Sequence, residues 1–231
     1  MTNAGPGRPR LTKQRRPGPT AQAEILDAAA ELFTTKGFAS TSTRQIAEVV
    51  GVRQASLYHH FATKDDILAA LLEQTVTPAM ELATRLADRA EAAPERLYAL
   101  ALFDSRQLMS GRWNLGALYL LPELRTERFA QFRRERVRLR AQYEILARAV
   151  LDELDRPGDT ALAGLPFRLV ETIINERSDR ESDETDRGPD PVDQPALVAD
   201  AALRVLGWPG EITQLRAAAE RILADATGPR P

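Results

Sequence analysis

The side chains best suited to bind another molecule lie between Ser42 and Lys64, in the stretch STRQIAEVVGVRQASLYHHFATK. An arginine can donate two hydrogen bonds to a guanine, and a glutamine can pair in the same bidentate way with an adenine. Arg44 and Gln54 carry these two kinds of side chain, and hydroxyl groups and the ammonium of Lys64 are of the kinds that bind phosphates without reading sequence. These contacts require a scaffold that points the side chains into a groove of the duplex.

Two short helices joined by a tight turn are predicted to supply that scaffold. Ser42 and Gln45 have the capping-box spacing that begins a helix. Gly51 is placed to end this helix in the left-handed conformation. The second helix, from about Gln54 to His60, is too short to be stable alone and must be held by its neighbours, which leaves its outer face available to a major groove.

A helix on each side completes a three-helix unit. Upstream, apolar residues at helical spacing stop at Gly37, and Phe38 is placed to contact Phe33 where the helix closes. Downstream, Thr63 and Asp66 form a second capping-box pattern, which predicts the start of the next helix. No strand pattern competes along the chain, so the fold class is all-α.

The order helix, Gly-Phe, Thr-Arg-x-Ile-Ala, Gly-Val, Leu-Tyr-x-His-Phe, x-Lys-x-x-Ile-Leu resembles the N-terminal domain of TetR-family transcriptional repressors, over about residues 20–72. The resemblance implies a homodimeric, all-helical repressor that binds double-stranded DNA at a palindromic operator and is released by a small-molecule effector. It also implies phosphate contacts from Thr43, Ser56, Tyr58, His60 and Lys64, and base-edge positions at Arg44, Gln54 and Ala55.

One position departs from the family pattern. Arg53 stands where a small capping residue is usual, so the second helix should lack a side-chain cap, and Arg53 is interpreted as a phosphate contact. The predicted DNA-binding set is Thr43, Arg44, Arg53, Gln54, Ala55, Ser56, Tyr58, His59, His60 and Lys64. The alternative is that Tyr58 and Phe61 are core aromatics and His60 is an ordinary surface residue; for Phe61 the core interpretation is preferred.

Charge divides along the chain in a way that suits DNA binding. Residues 1–64 carry nine Lys/Arg against four Asp/Glu, whereas residues 65–231 carry 22 against 29. A basic N-terminal part attracts a polyanion, and an acidic remainder is repelled by it. Five of the basic residues lie in a Pro/Gly-rich arm, residues 1–19, which is expected to be disordered and either to follow the duplex or to act as a solubilising tail.

Composition argues against several other classes of protein. The chain has no cysteine, which removes disulfides and thiol redox chemistry. His59 and His60 are the only histidines, and adjacent helical residues point about 100° apart, so neither a metal nor a cofactor is expected. An enzyme is the weakest interpretation, because no nucleophile has an evident base near it. No apolar run approaches the roughly 18 residues that span a bilayer, and a cytoplasmic protein without a membrane partner is expected.

The chain is divided into the arm, a helix-turn-helix domain at residues 20–66, and a larger helical domain for effector binding and dimerisation at residues 67–226. In the larger domain Pro78 should kink or end the fourth helix, and Pro94 should open another. By resemblance, helices near residues 160–176 and 196–206 form the dimer interface; burial of the same apolar stripes within one chain is the alternative. Between them, residues 178–194 are acidic and predicted to be a mobile loop.

The effector pocket is predicted among the middle helices. Its candidate residues offer aromatic walls and a few polar groups, although they could equally form an ordinary core: Tyr98, Phe103, Arg106, Met109, Trp113, Asn114, Tyr119, Arg136 and Phe167. Arg136 lies on the otherwise apolar side of a long helix, so it must pair with an internal acid, extend to solvent, or meet an anionic group of the effector. A regulator whose second domain only dimerises or binds a protein partner remains the alternative function.

Overall fold

The computed structural model describes residues 17–182 and 193–227, and within these ranges it contains helices and no strands. The predicted all-α class is confirmed. The α-helices are α1 (Ala21–Thr35), α2 (Thr43–Val50), α3 (Gln54–Tyr58), α4 (Lys64–Ala87), α5 (Ala93–Ser110), α6 (Ala130–Glu153), α7 (Leu165–Ser182), α8 (Gln194–Arg204) and α9 (Ile212–Thr227). Short 3-10 helices cover Leu115–Leu120, Pro122–Arg125, Glu127–Phe129 and Thr160–Gly164. None of the described helices is both long and apolar enough to cross a membrane.

The chain divides after Leu68 into two compact units. The first unit contains α1, α2, α3 and the start of α4, and the second contains the rest of α4 and the helices that follow. Most of the predicted basic arm lies outside the described residues, as do residues 183–192.

In the first unit, α1 begins and ends as its sequence indicates. The Thr20 hydroxyl accepts a hydrogen bond from the Ala23 N–H at 3.1 Å. Gly37 follows the helix with φ +86°, and the rings of Phe33 and Phe38 meet edge to face at 4.9 Å between centroids. The left-handed glycine turns the chain back so that the two rings can close the helix end.

The turn between α2 and α3 is held by local hydrogen bonds. The capping box of Ser42 and Gln45 is present, and Gly51 ends α2 with φ 80°. At the start of α4, the Thr63 N–H donates to Asp66 at 2.9 Å and the Asp66 N–H donates back to the Thr63 hydroxyl at 3.1 Å. Both predicted capping boxes are therefore confirmed.

In the second unit, α5 is the central helix. It packs against α6, α7, α8 and α9, and its residues 97–102 are fully buried. A helix that is covered on all sides carries apolar residues around its whole circumference, which is why its sequence shows no polar face in this stretch.

Pro78 does not end α4. The backbone oxygen that loses its usual N–H donor because of the proline accepts a hydrogen bond from a side chain on α5. Proline has no N–H for the carbonyl four residues earlier, which belongs to Gln74. The side-chain amide of Gln107 on α5 donates to Gln74 O at 3.4 Å and to Thr75 O at 2.8 Å. The helix continues to Ala87.

The predicted loop at residues 178–194 differs from the structure at both ends. Helix α7 continues through Ser182, and Gln194 is the first residue of α8. The Ser178 hydroxyl donates to Ile174 O at 3.1 Å, and Arg180 pairs with Glu176 one turn earlier. These contacts stabilise a helix end whose composition resembles a loop. The sequence interpretation also assigned no separate helix to the residues of α9.

Candidate nucleic-acid interface and candidate effector cavity

Helix α3 is anchored by one buried residue and is exposed elsewhere. Leu57 is fully buried, whereas Tyr58 is 47% exposed although it is a large aromatic residue. The exposed positions are Arg53, Gln54, Ala55, Ser56, Tyr58, His59 and His60. The predicted core interpretation holds for Phe61, which is buried. The surface thus has the shape of a short recognition helix with a free outer face.

Three predicted contact residues form one hydrogen-bonded cluster across α2 and α3. The Thr43 and Tyr58 hydroxyl oxygens lie 3.1 Å apart. The Gln54 amide donates to Thr43 Oγ1 at 3.1 Å and to Tyr58 Oη at 3.2 Å. The cluster orients the Gln54 side chain before any partner is bound, which reduces the entropy cost of a base contact. A bidentate contact with adenine would take over one of the two Nε2 hydrogens that now bond Thr43 and Tyr58.

Arg44 lies on the exposed side of α2 and pairs with Glu48 at 2.9 Å. Their side chains are 78% and 60% exposed. An ion pair in water contributes little stability, so Arg44 can exchange Glu48 for a nucleic-acid acceptor at small cost.

Arg53 precedes α3 and makes no side-chain cap hydrogen bond. The sequence predicts that α3 lacks a side-chain cap because Arg53 replaces the usual small capping residue, and this prediction is confirmed. Because the side chain is exposed, its guanidinium is available to an anion.

Lys64 has a role in the first unit that sequence reasoning missed. Its ammonium donates to Phe38 O and Thr41 O, each at 2.8 Å, and lies 4.1 Å from the centroid of the Phe38 ring. It therefore ties the start of α4 to the segment between α1 and α2. No local sequence pattern predicts this contact, because Lys64 and Phe38 are 26 positions apart.

In the second unit, three of the predicted effector residues meet around one cavity of about 240 Å³, part of which is open to solvent. They are Tyr119, Arg136 and Phe167. The full lining is Thr75, Val76, Asp104, Leu108, Tyr119, Arg136, Leu139, Phe167 and Glu171. Arg136 Nε donates to Glu171 Oε1 at 2.9 Å, so its internal ion pair is present.

Asp104 is a buried group of this cavity that the sequence interpretation did not select. It is 3% exposed, and its carboxylate accepts a hydrogen bond from the Tyr143 hydroxyl at 3.0 Å. Burial raises the pKa of Asp104 to about 7, although the hydrogen bond from Tyr143 acts in the opposite direction. The sequence does contain a signal for Asp104, since it lies within the apolar run ALALFDS. Burial of a carboxylate costs free energy unless the group has a partner or a function.

Trp113 lines a different cavity, of about 470 Å³, together with Gln107 and Arg177. Asn114 is buried and donates to Ile174 O at 2.9 Å and to Ser178 Oγ at 3.0 Å. Its amide thus joins the segment after α5 to α7.

The remaining effector candidates, Phe103, Met109, Tyr98 and Arg106, do not line the cavity around Arg136. Phe103 and Met109 are partly buried against the core. The Tyr98 hydroxyl donates to Asp200 at 2.6 Å, and Arg106 donates to Glu220 at 3.0 Å. These two side chains connect α5 to α8 and α9.

The apolar stripes predicted for dimerisation are largely used within the chain. Val170 and Ile173 on α7, and Ala202 on α8, are fully buried against neighbouring helices of the same unit. Leu197 on α8 is 58% exposed. Part of these stripes is therefore buried within the chain, as the alternative interpretation expects, while Leu197 is left exposed.

Comparisons with known proteins agree with this geometry. Residues 25–71 match the family described as "Bacterial regulatory proteins, tetR family". The solved structure of Mycobacterium smegmatis AmtR is 56% identical, covers 95% of this chain and 100% of its own, and superimposes with a TM-score of 0.83.

Curated relatives include the transcriptional repressor KstR2 of Mycobacterium tuberculosis, which is 43% identical over 49 residues, or 21% of this chain. That match spans about a quarter of the relative's length (24%). The fatty acid metabolism regulator protein of Bacillus subtilis is 28% identical over 162 residues, covering 70% of this chain and 80% of that protein.

The helix-turn-helix surface and the second helical unit define a DNA-binding transcriptional regulator. The chain belongs to the TetR family, whose members are transcriptional regulators and not enzymes.

Proposed function

We propose that the protein is a homodimeric repressor that binds a palindromic operator and releases it when a small molecule binds the second unit. The observation that carries the proposal is the exposed face of α3, on which Gln54 is oriented by Thr43 and Tyr58. An oriented amide next to exposed basic groups is suited to sequence reading, since a bidentate pair discriminates a base by about 1 to 3 kcal/mol.

Dimerisation follows from the limited reach of one such helix. Helix α3 has five residues and contacts few base pairs. Two copies about 34 to 36 Å apart can read two half-sites on one face of the duplex. We assign the interface to residues 160–176 and 196–206, where the exposed Leu197 offers an apolar contact.

Ligand control requires that the effector favours one arrangement of the dimer over another. Helix α4 begins in the first unit and continues into the second, so it is the segment we assign to transmission. A coupling free energy of about 1 to 3 kcal/mol would change operator affinity roughly 5- to 150-fold. A regulator whose second unit only dimerises or binds a protein partner would show no such change with any small molecule.

The test is selection of bound duplexes from a random DNA pool by the purified protein at near-physiological salt, followed by sequencing. Enrichment of an inverted repeat would support a dimeric sequence reader and supply the operator for ligand screening. Enrichment of a single half-site would contradict the dimer, and enrichment of no sequence would leave only electrostatic binding.

A further inference from the structure

Two carboxyl groups and two aromatic rings line the cavity that holds the Arg136 side chain in the second unit. Asp104 and Glu171 supply the carboxyl groups, and Tyr119 and Phe167 supply the rings. The central carbon of the guanidinium lies 5.3 Å from the Tyr119 ring centroid and 5.6 Å from that of Phe167. Carboxylates and aromatic faces are the groups with which proteins recognise organic cations.

Arg136 thus occupies the position that a cationic ligand would take. Its Nε donates to Glu171 at 2.9 Å, as a bound guanidinium would. The Arg136 side chain is 39% exposed, whereas Asp104 is only 3% exposed. The arginine can therefore leave toward solvent, where its charge is hydrated, while the acid inside the cavity cannot.

The cavity is too small to hold a ligand together with the Arg136 guanidinium. With Arg136 in place, the enclosed part of this space has room for about one water molecule, because the 240 Å³ also counts narrow gaps and open solvent. Once the guanidinium has moved out, the vacated space fits a group of the same size and shape. Val76, Leu108 and Leu139 line the same cavity and can contact an apolar part of the ligand.

The charges that line the cavity also favour a cationic ligand in place of Arg136. Among the described residues, the donor that reaches the Asp104 carboxylate is the neutral hydroxyl of Tyr143, at 3.0 Å. Arg136 is paired with Glu171, and within residues 17–182 and 193–227 no ion pair involves Asp104. A cation bound next to Asp104 would supply the positive charge that a buried carboxylate needs as its partner.

We propose that the ligand of this cavity is an organic cation of the guanidinium or alkylammonium class, which replaces Arg136 between Tyr119 and Phe167 and pairs with Glu171 and Asp104. That this ligand acts as the effector rests on the function proposed above; its binding does not. The proposal reverses the expectation that Arg136 meets an anionic group of the effector.

Calorimetry with the full-length protein and two probes of similar size and opposite charge, n-butylguanidinium and butyrate, tests the proposal. We expect saturable binding of n-butylguanidinium to the wild type. Affinity should increase at least tenfold in Arg136→Ala, because the internal competitor is gone, and should be lost in Glu171→Gln. Arg140→Ala is the matched control, since Arg140 lies on the same helix as Arg136 and also pairs with a glutamate, Glu144, but lies outside the cavity.

Binding of butyrate that requires Arg136 would overturn the proposal, as would the absence of n-butylguanidinium binding to the wild type. If Arg136→Ala does not fold, loss of binding in Glu171→Gln provides the same test in a chain that keeps its arginine. Release of a labelled operator is measured separately. Binding without release would support the cation site and contradict its role as the effector site, whereas no binding would contradict the site and leave ligand-controlled repression open to other ligands.

Discussion

The ammonium of Lys64 donates to the backbone oxygen of Phe38 at 2.8 Å and lies 4.1 Å from the centroid of the same residue's ring. A second bond of 2.8 Å reaches Thr41 O. The first residue of α4 therefore fixes the turn that follows α1, and with it the position at which α2 begins. A residue that the family resemblance assigned to phosphate binding also stabilises the folded unit.

Replacement of Lys64 by methionine should destabilise the first unit. Two charge-assisted hydrogen bonds would be lost, at a cost of about 2 to 3 kcal/mol, while the apolar stem of the side chain is kept. Thermal unfolding should shift to lower temperature. Hydrogen exchange should accelerate at the Thr41 amide, which donates to Phe38 O at 3.2 Å.

Lys36→Met is the control for Lys64→Met, because Lys36 is exposed in the same unit. It removes the same charge and should leave both measurements unchanged. If Lys64→Met instead kept its stability and only reduced the slope of DNA affinity against salt concentration, by about one phosphate contact, the residue would be a phosphate contact alone.

Gln54→Ala should relax sequence preference without weakening electrostatic binding. The variant loses a bidentate base contact, which is expected to reduce discrimination at one base pair by about 1 to 3 kcal/mol. The slope of affinity against salt concentration should not change, since no cation is removed. Competition binding with duplexes that differ at single positions measures both quantities.

The exposed Gln22 on α1 provides the matched control, Gln22→Ala, which should behave as the wild type on every duplex. An equal loss of affinity by Gln54→Ala on all duplexes would show that Gln54 supports the surface without reading a base.

Local features of the fold were predictable because their partners lie within a few residues of each other. The capping box of Ser42 and Gln45 spans three positions, and Gly51 needs only its own left-handed conformation. Such patterns are visible in the sequence since one helical turn brings the groups together. The end of α7 is the counterexample, where polar composition predicted a loop that Ser178 and its neighbours keep helical.

The cavity in the second unit was only partly predictable. Arg136 was recognised as a charge that needs a partner, but Glu171 lies 35 positions away and nothing in the sequence selects it. Tyr98 and Arg106 are predicted effector contacts, and in the structure their side chains connect α5 to α8 and α9. Because α5 is buried on all sides in this region, its sequence does not show which side faces a cavity.

Gly116→Ala should destabilise the second unit, because the position has no room for a methyl group. A Cβ there would lie 2.5 Å from Cγ1 and 2.7 Å from Cδ1 of Ile174. Overpacking of this kind typically costs about 1 to 3 kcal/mol. Denaturant unfolding should show the loss, and Ile174→Ala in the same chain should recover part of it.

Gly158→Ala is the comparison, since nothing lies within 4 Å of a Cβ at that position. It should be neutral or stabilise the protein by up to about 1 kcal/mol, because alanine lowers the conformational entropy of the unfolded chain. Equal effects of the two alanines would show that Ile174 moves aside without cost.

Asp104→Asn should flatten the dependence of stability on pH between about 4 and 7. Burial raises the pKa of Asp104 from 3.8 in its ordinary state to about 7 in the folded protein. The unfolded chain therefore releases this proton at a lower pH than the folded protein. The contribution of Asp104 to the unfolding free energy is therefore fully present below its ordinary pKa, decreases as the pH rises, and is lost above about pH 7.

The two tyrosines near Asp104 do not produce this change. Tyr143 and Glu171 act on it directly, with Tyr119 and Arg136 in the same cluster. Burial raises the pKa of both tyrosines above their ordinary value, so they stay protonated across this range.

An asparagine at position 104 can still accept from the Tyr143 hydroxyl and never carries the charge. A rise in pKa from 3.8 to about 7 corresponds to about 4 kcal/mol, which is the largest gain in stability that Asp104→Asn could show at pH 8. Urea unfolding at pH 5, 6, 7 and 8 measures the two profiles, with the exposed Asp88→Asn as control. Parallel profiles for wild type and Asp104→Asn would contradict this prediction. They would show that the Asp104 carboxyl is charged in the folded protein throughout this range, which would require a cation in the protein to stabilise the charge.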